Sequence, residues 1–219
     1  LKKQFEGKTI AVLPEPESAA FWFLMKQGLD LKVLTWKEIA AGLDPKQYAM
    51  VLYAGHEKYC TTAQKADDVD DAIIQYVKGG GTLLVLSSGP LPFYYDQDSK
   101  AVNRAARFGL NIKGGWERSP QGNLVFIDPH KQQDNTKWDR EMPFQEMSEQ
   151  RWRPWIADKG VKSTVLLTLK DKASDKTYGD GLVIVYPPSG GRIAYCWSGL
   201  LVSPYVEIVC NRLLEKLAK

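Results

Sequence analysis

Three uninterrupted apolar runs, each closed by a turn-forming residue and separated by helix-periodic sequence, restrict what this chain can fold into. Thr9-Ile10-Ala11-Val12-Leu13 ends at Pro14, Ala49-Met50-Val51-Leu52-Tyr53 ends at Gly55, and Thr82-Leu83-Leu84-Val85-Leu86 ends at Ser87-Ser88-Gly89-Pro90. A strand that is apolar at every position has both faces covered, as in parallel sheets flanked by helices. Between the runs the spacing predicts those helices. Ser18 stands where it can cap one carrying Phe21, Leu24 and Met25, with Gly28 as its stop. Ala66, Val69, Ile73 and Val77 share one face of another over 62–78. Its acids Asp67, Asp68, Asp70 and Asp71 lie off that stripe and near the positive helix N-terminus, so they read as a solvated acidic face rather than a metal site. Leu31-Lys32-Val33-Leu34 is a further strand and 101–108 a further helix. The expectation is a three-layer α/β sandwich with a mostly parallel sheet and right-handed crossovers.

The second half reads differently. Residues 114–159 are polar, rich in Trp, Arg and Pro, and weakly periodic. Short strands follow at 164–169, 181–186 and 192–197, with Ser189-Gly190-Gly191 as the hairpin turn between the last two. A closing helix from Pro204 turns Val206, Val209, Leu213 and Leu217 inward, with Cys210 beside that stripe. The pattern fits one domain over 1–219, flavodoxin-like in plan. Its parts are a βαβ core at 1–112, an irregular aromatic and Arg-rich insertion at 113–160, and closing strands with a C-terminal helix at 161–219 that extend the sheet.

Composition closes off several function classes. The 219 residues are 44% apolar and 25% charged, enough for a core and a solvated surface. The net charge of +3 comes from scattered Lys and Arg. Nucleic-acid binding needs a basic stripe, and none is present. No run approaches the ~20 apolar residues of a membrane helix. Cys60, Cys196 and Cys210 are too few for a disulfide framework and lack metal-type spacing. Buried thiols are expected, with one disulfide as the alternative. No cofactor and no metal are expected. The chain begins at Leu1 without Met or a signal-peptide pattern, which reads as a processed or excised fragment that other domains can precede. Periplasmic, extracellular and cytoplasmic compartments all stay open.

Ligands in sheets of this plan bind beyond the carboxyl ends of the strands. Three loops fall there, at 14–18, 55–60 and 87–95. The last begins with the abrupt strand stop Ser87-Ser88-Gly89-Pro90, the kind of tight turn in which α/β enzymes hold a nucleophile. Ser87 has two readings. It is a nucleophile if His56 or His130 folds beside it; otherwise it ends the strand and, with Ser88 and Gly89, offers hydrogen bonds to a ligand. An unassisted serine hydroxyl is a poor nucleophile, which favours the second. Within Gly55-His56-Glu57-Lys58-Tyr59-Cys60, the side chains of His56, Glu57 and Cys60 could ligate zinc, but a loop in which His56, Glu57 and Tyr59 hydrogen-bond a ligand is favoured. Further on, Trp138 and Arg151-Trp152-Arg153-Pro154-Trp155 set flat aromatics beside guanidiniums, which suits a sugar face or an anionic group. Packing over the sheet is the alternative use. Phe93, Tyr94 and Tyr95 add an aromatic wall next to the turn.

Several pieces carry a family resemblance. Val51-Leu52-Tyr53-Ala54-Gly55, the 62–78 helix, Gly79-Gly80-Gly81 and Leu86-Ser87-Ser88-Gly89-Pro90 follow one another as strand, helix, glycine break and strand. Over 48–90 this resembles the class I glutamine amidotransferase-like superfamily, which includes the intracellular-protease relatives, the trehalose-utilisation (ThuA-like) proteins and the trimerisation domain of some β-galactosidases. Gly191-Arg192-Ile193-Ala194-Tyr195 followed by Ser198-Gly199-Leu200 resembles the ThuA-like ending. The resemblance implies a nucleophilic Cys where Ser87 stands and a catalytic His where Ser198-Gly199-Leu200 stands. Neither is present, so it implies loss of the amidotransferase triad. In the intracellular-protease relatives an acid near Glu15 supports the nucleophile; Glu15 could inherit that place or, like Glu17, be an exposed residue before the Ser18 cap.

The leading expectation is a non-catalytic amidotransferase-like module. It binds a small polar ligand, a carbohydrate among the candidates, or mediates assembly as a homo-oligomer or beside upstream domains of a glycan-processing protein. A serine hydrolase using Ser87 with His56 or His130 and a pure oligomerisation domain are the alternatives.

Overall fold

The computed structural model describes residues 2–57, 59, 63, 65–96, 98, 100–114, 118–130, 142–145, 151–202 and 204–218. The apolar runs form the central strands. They are β1 (Thr9–Val12), β3 (Tyr48–Tyr53) and β4 (Thr82–Val85), with Ile10, Val12, Val51, Leu52 and all of β4 buried. Flanking them are β2 (Asp30–Val33) and β9 (Arg192–Cys196). These five strands are parallel and ordered β2-β1-β3-β4-β9, the doubly wound order in which the chain reverses direction between the first and third strands.

Among the described residues four helices cover the sheet: α1 (Ala19–Lys26), α2 (Trp36–Ala40), α3 (Ala66–Lys78) and α4 (Tyr205–Leu217). α1 packs on α4 and α2 on α3. Right-handed crossovers explain that pairing, because the connection from β1 to β2 runs opposite to those leading on to β3 and β4. The apolar stripe of α3 is buried as the spacing predicts, and so is that of α4 at Val209, Leu213 and Leu217. Ser18 occupies the N-cap position of α1 without making a side-chain cap; its hydroxyl is buried with no hydrogen-bond partner among the described residues. Where a helix is expected over 101–108, the chain forms a 3-10 turn, Arg104–Phe108. Nothing in the apolar spacing announces α2, yet Thr35 and Glu38 form a full capping box that starts it.

The expectation of a mostly parallel sheet is corrected. Beyond β9 the sheet continues through β8 (Thr177–Tyr186), β7 (Lys162–Asp171), β5 (Leu124–Ile127) and β6 (Met142–Pro143), and each of these pairings is antiparallel. Among the described residues the result is one mixed nine-stranded sheet. Its reason is local: β7 to β8 and β8 to β9 are joined by short turns, and only antiparallel neighbours can be connected that way. The second turn needs its glycine. Gly191 sits at φ +67°, and a Cβ there would lie 2.2 Å from the Val77 carbonyl oxygen. The aromatic and Arg-rich insertion is therefore partly sheet, since β5 and β6 belong to it.

Two of the three cysteines, Cys196 and Cys210, are free and buried; Cys60 lies outside the described residues. Burial raises the pKa of both thiols, that of Cys210 to about 12. No helix among the described residues is long and apolar enough to cross a membrane.

Candidate functional site at the carboxyl edge of the parallel strands

The carboxyl ends of β1, β3, β4 and β9 bring four segments together. The loop after β3 and the turn after β4 are bonded backbone to backbone: Leu86 N donates to the Tyr53 carbonyl (2.9 Å) and Ser88 N to the Gly55 carbonyl (3.1 Å). The β1 loop joins them through Glu17 N and Ser18 N, which both donate to the Ala54 carbonyl at 2.9 Å. The sequence placed these loops on one edge, and they do meet.

Ser87 is 1% exposed, and its hydroxyl donates to the Gly89 carbonyl at 2.6 Å. A carbonyl accepts a hydrogen bond but does not take the proton, so this contact closes the turn without activating the oxygen. The Ser88 hydroxyl reaches Glu17 Oε2 at 3.3 Å. Gly89 permits a close approach: a Cβ there would lie 2.4 Å from Cγ of Glu57. The Glu57 carboxylate in turn accepts from Leu91 N (2.9 Å), and its backbone carbonyl accepts from Tyr94 N (3.2 Å). Glu57 thus fixes the chain beyond the turn.

The two histidines go different ways. His56 is exposed on the edge, and its carbonyl accepts the Tyr53 hydroxyl. His130 follows β5. Because β5, β7, β8 and β9 alternate in direction and β9 runs parallel to β4, the end of β5 emerges on the opposite edge from Ser87. There His130 N donates to Asp128, which pairs with Arg212 of α4. His130 is not placed to serve Ser87.

Residues 151–155 also reach the carboxyl edge. The buried Tyr195 hydroxyl of β9 donates to the Arg153 carbonyl at 2.6 Å, and Trp197 Nε1 donates to the Arg151 carbonyl at 2.8 Å. Trp152 is buried among Phe126, Phe144 and Trp197, and Trp155 is buried as well. Both rings pack, whereas Tyr94 and Tyr95 are partly exposed beside the turn and meet edge to face at 5.3 Å. Arg153, not Arg151, is the buried guanidinium. Burial and then the charge of Arg151 push its pKa down, while Tyr195, Glu57 and Tyr94 pull it up. Burial raises that of Tyr95, with Glu57 and Tyr94 adding to it. Arg153, Glu57, Tyr94 and Tyr95 therefore form one electrostatic cluster beside the turn. Trp138 and Cys60 lie outside the described residues, and among those described no group of three His, Cys, Asp or Glu could hold a metal.

At the switch in strand order a small cavity opens between the ends of β1 and β3. It holds about 30 Å³ and is lined by Pro14, Glu15, Glu17, Trp36, Gly55, His56 and Tyr59. Two residues flanking this edge adopt left-handed backbone conformations uncommon for their types, Glu15 at φ +57° and the fully buried Phe93 at φ +54°. Strain of that kind costs about 1–3 kcal/mol per residue and gathers at functional sites.

The expected solvated acidic face of α3 needs correction. Asp70 is fully buried and takes both Arg104 (Nη2 at 2.5 Å, Nε at 2.9 Å) and Arg107 (3.0 Å), together with the Tyr59 hydroxyl. Asp67 and Asp71 extend the network at the surface, each bonded to Arg107. Burial is the largest influence on the Asp70 carboxyl and raises its pKa; the Tyr59 hydroxyl and the guanidiniums oppose it. Through Tyr59 the network locks the site loop, whose aromatic rings continue into Tyr53, Phe93 and Phe108 with centroids 4.0–5.1 Å apart along the Phe93 contacts. The signal for Asp70 was available only in its spacing, one residue from Val69 on the buried stripe.

No protein-family model matches the sequence, and no curated protein sequence matches it. Solved structures do match. A cytoplasmic protein from Salmonella typhimurium superposes with a TM-score of 0.59 at 13% identity, over 96% of this chain and 97% of its own. A second, from Salmonella typhimurium LT2, gives 0.58 at 16% identity over 97% and 100%. A protein designated ThuA-like, from Bacteroides uniformis, gives 0.50 at 12% identity over 98% and 91%. The fold is ThuA-like. At these identities the likeness is one of architecture.

Proposed function

We propose that this chain is a non-catalytic relative of the amidotransferase-like proteins, flavodoxin-like in its parallel half, whose carboxyl edge binds a small polar ligand. The observation that carries the reading is the Ser87 hydroxyl: buried, and donating to the Gly89 carbonyl rather than to a base. The elbow keeps its geometry while its oxygen is committed to holding the turn. Around it the edge offers what a hydroxylated ligand needs: the Ser88 hydroxyl, the Glu57 carboxylate, the His56 ring and the partly exposed Tyr94 and Tyr95 faces. Rings of that kind suit the apolar face of a sugar, and a carbohydrate is the ligand class proposed.

The test is an amide-resolved NMR titration with a panel of neutral mono- and disaccharides. The expected result is a set of shifts confined to residues 15–18, 55–59, 87–95 and 151–155. Shifts that cluster on another face, or none at this edge with any sugar, overturn the reading.

A further inference from the structure

The sheet ends on one side at β2, which has no neighbour beyond it among the described residues. We infer that β2 is a self-association edge: two copies of this chain pair β2 with β2, antiparallel about a two-fold axis through Leu31, and join their sheets into one. The surface is separate from the carboxyl edge, and the inference does not rest on the ligand reading.

Backbone direction comes first. Leu34 N donates to the Val12 carbonyl, towards β1. Peptide groups alternate sides along a strand, so the N–H and C=O of Leu31 and Val33 turn outward. An axis through Leu31 sets it opposite the partner's Leu31 as a pair that exchanges both hydrogen bonds. Side chains then select the register. Here Asp30 stands opposite the partner's Lys32, and Lys32 opposite the partner's Asp30. Moving the axis by one residue sets Asp30 against the partner's Asp30, or Lys32 against the partner's Lys32, and like charges directly opposite are destabilising. A lysine on an edge strand commonly blocks pairing, but the acid two residues away supplies its counter-charge in this register. Both residues are exposed. Asp30 accepts from the Thr9 hydroxyl (2.5 Å) and Lys32 lies 3.8 Å from Glu38, which leaves each group capacity for a further partner.

The opposite face of the strand is apolar. The contact with Glu38 puts Lys32, and with it Asp30, on the α2 side, so Leu31 and Val33 face the α1 side. Among the described residues six large apolar side chains are exposed, and three of them belong here: Trp22 (49%), Met25 (46%) and Val33 (48%). The right-handed crossover lays α1 over β1 and β2, with α4 against its inner flank. Phe23 turns to that inner side and packs on the core, while Trp22 and Met25 lie on the outer flank, above the free edge. Across the axis the partner's α1 falls about 9–10 Å away, two strand spacings, which is the usual separation of packed helices. The same patch then covers itself, and the assembly closes at two copies.

Sedimentation equilibrium over a range of loading concentrations tests this, with a monomer–dimer equilibrium expected for the wild-type chain. Asp30→Lys and Lys32→Asp each turn both cross-strand charge pairs repulsive and should each weaken the dimer by about tenfold or more. Mixing the two variants makes both pairs attractive again, so the mixture should form a heterodimer with an affinity close to that of wild type. Trp22→Glu should also dissociate the dimer, and it keeps the test readable if a charge variant fails to fold, which circular dichroism reports. A wild-type chain that stays monomeric throughout overturns the inference. So does a dimer that withstands Trp22→Glu or both charge reversals, or a pair of variants that mixing does not rescue.

Discussion

Replacing Asp70 by alanine is expected to lower the unfolding free energy by about 3–5 kcal/mol, the usual cost of removing one partner from a buried ion pair. The carboxylate is fully buried and accepts from two guanidiniums and a phenol. Without it the Arg104 guanidinium, with its side chain only 12% exposed, keeps its charge and loses its buried acceptor. Asp67 remains as a partner, but at 75% side-chain exposure that pair is screened by water and contributes little. For a domain of this size the loss corresponds to a fall in Tm of roughly 6–20 °C. Chemical denaturation with urea measures it. The double variant Asp70→Ala with Arg104→Met should recover part of the loss, because an unpaired charge no longer has to stay inside. A single-variant loss under about 1 kcal/mol would match an exposed pair instead and contradict the burial of this network.

Trp197→Ala is expected to cost about 3–5 kcal/mol as well, through a different mechanism. The ring is buried just past β9, stacked on Phe144 at 5.4 Å and set edge to face on Trp152 at 5.2 Å, with Phe126 at 5.9 Å. Its removal leaves a cavity among three other aromatics. It also removes the indole N–H that donates to the Arg151 carbonyl. That bond holds residues 151–155 to the carboxyl edge, so the variant should shift the amides of Arg153 and of Glu57 in NMR spectra along with losing stability. Trp197→Phe keeps most of the packing and drops the N–H, at a cost of about 1 kcal/mol for the packing-neutral part of the change. Equal losses for the two variants would show that the hydrogen bond, not the ring volume, sets the effect.

The central strands were legible because burial on both faces writes itself as an unbroken apolar run, as in 9–13, 49–53 and 82–86. α3 and α4 were legible through their 3.6-residue stripes. Strand direction is not written in the same way. The hairpin at Ser189-Gly190-Gly191 marked β8 and β9 as antiparallel, but β5 is four residues in a polar stretch, and its pairing with β7 depends on residues more than forty positions away in sequence. The short α2 shows no stripe, yet its capping box, Thr35 with Glu38, was there to be read. At the candidate site the loops converge as their place after the strands required. What sequence could not supply was which side chains turn inward. An acid in the first turns of a helix usually faces water, and only tertiary contact with Arg104 and Arg107 makes Asp70 a buried group. In the same way the alternation in 151–155 does not distinguish Arg153, which is buried beside Glu57, from Arg151, which is not.

The central claim, an elbow that binds rather than cleaves, is tested most directly at Ser87 itself. An alkyl fluorophosphonate attacks only serines whose hydroxyl is activated by a base, and the adduct is read as a mass increase in the intact protein. Wild type and Ser87→Ala should both stay unmodified, because the Ser87 proton is directed at the Gly89 carbonyl and His130 lies on the far edge of the sheet. A stoichiometric adduct on wild type that maps to Ser87 and disappears in Ser87→Ala would contradict the account and make the chain a serine hydrolase.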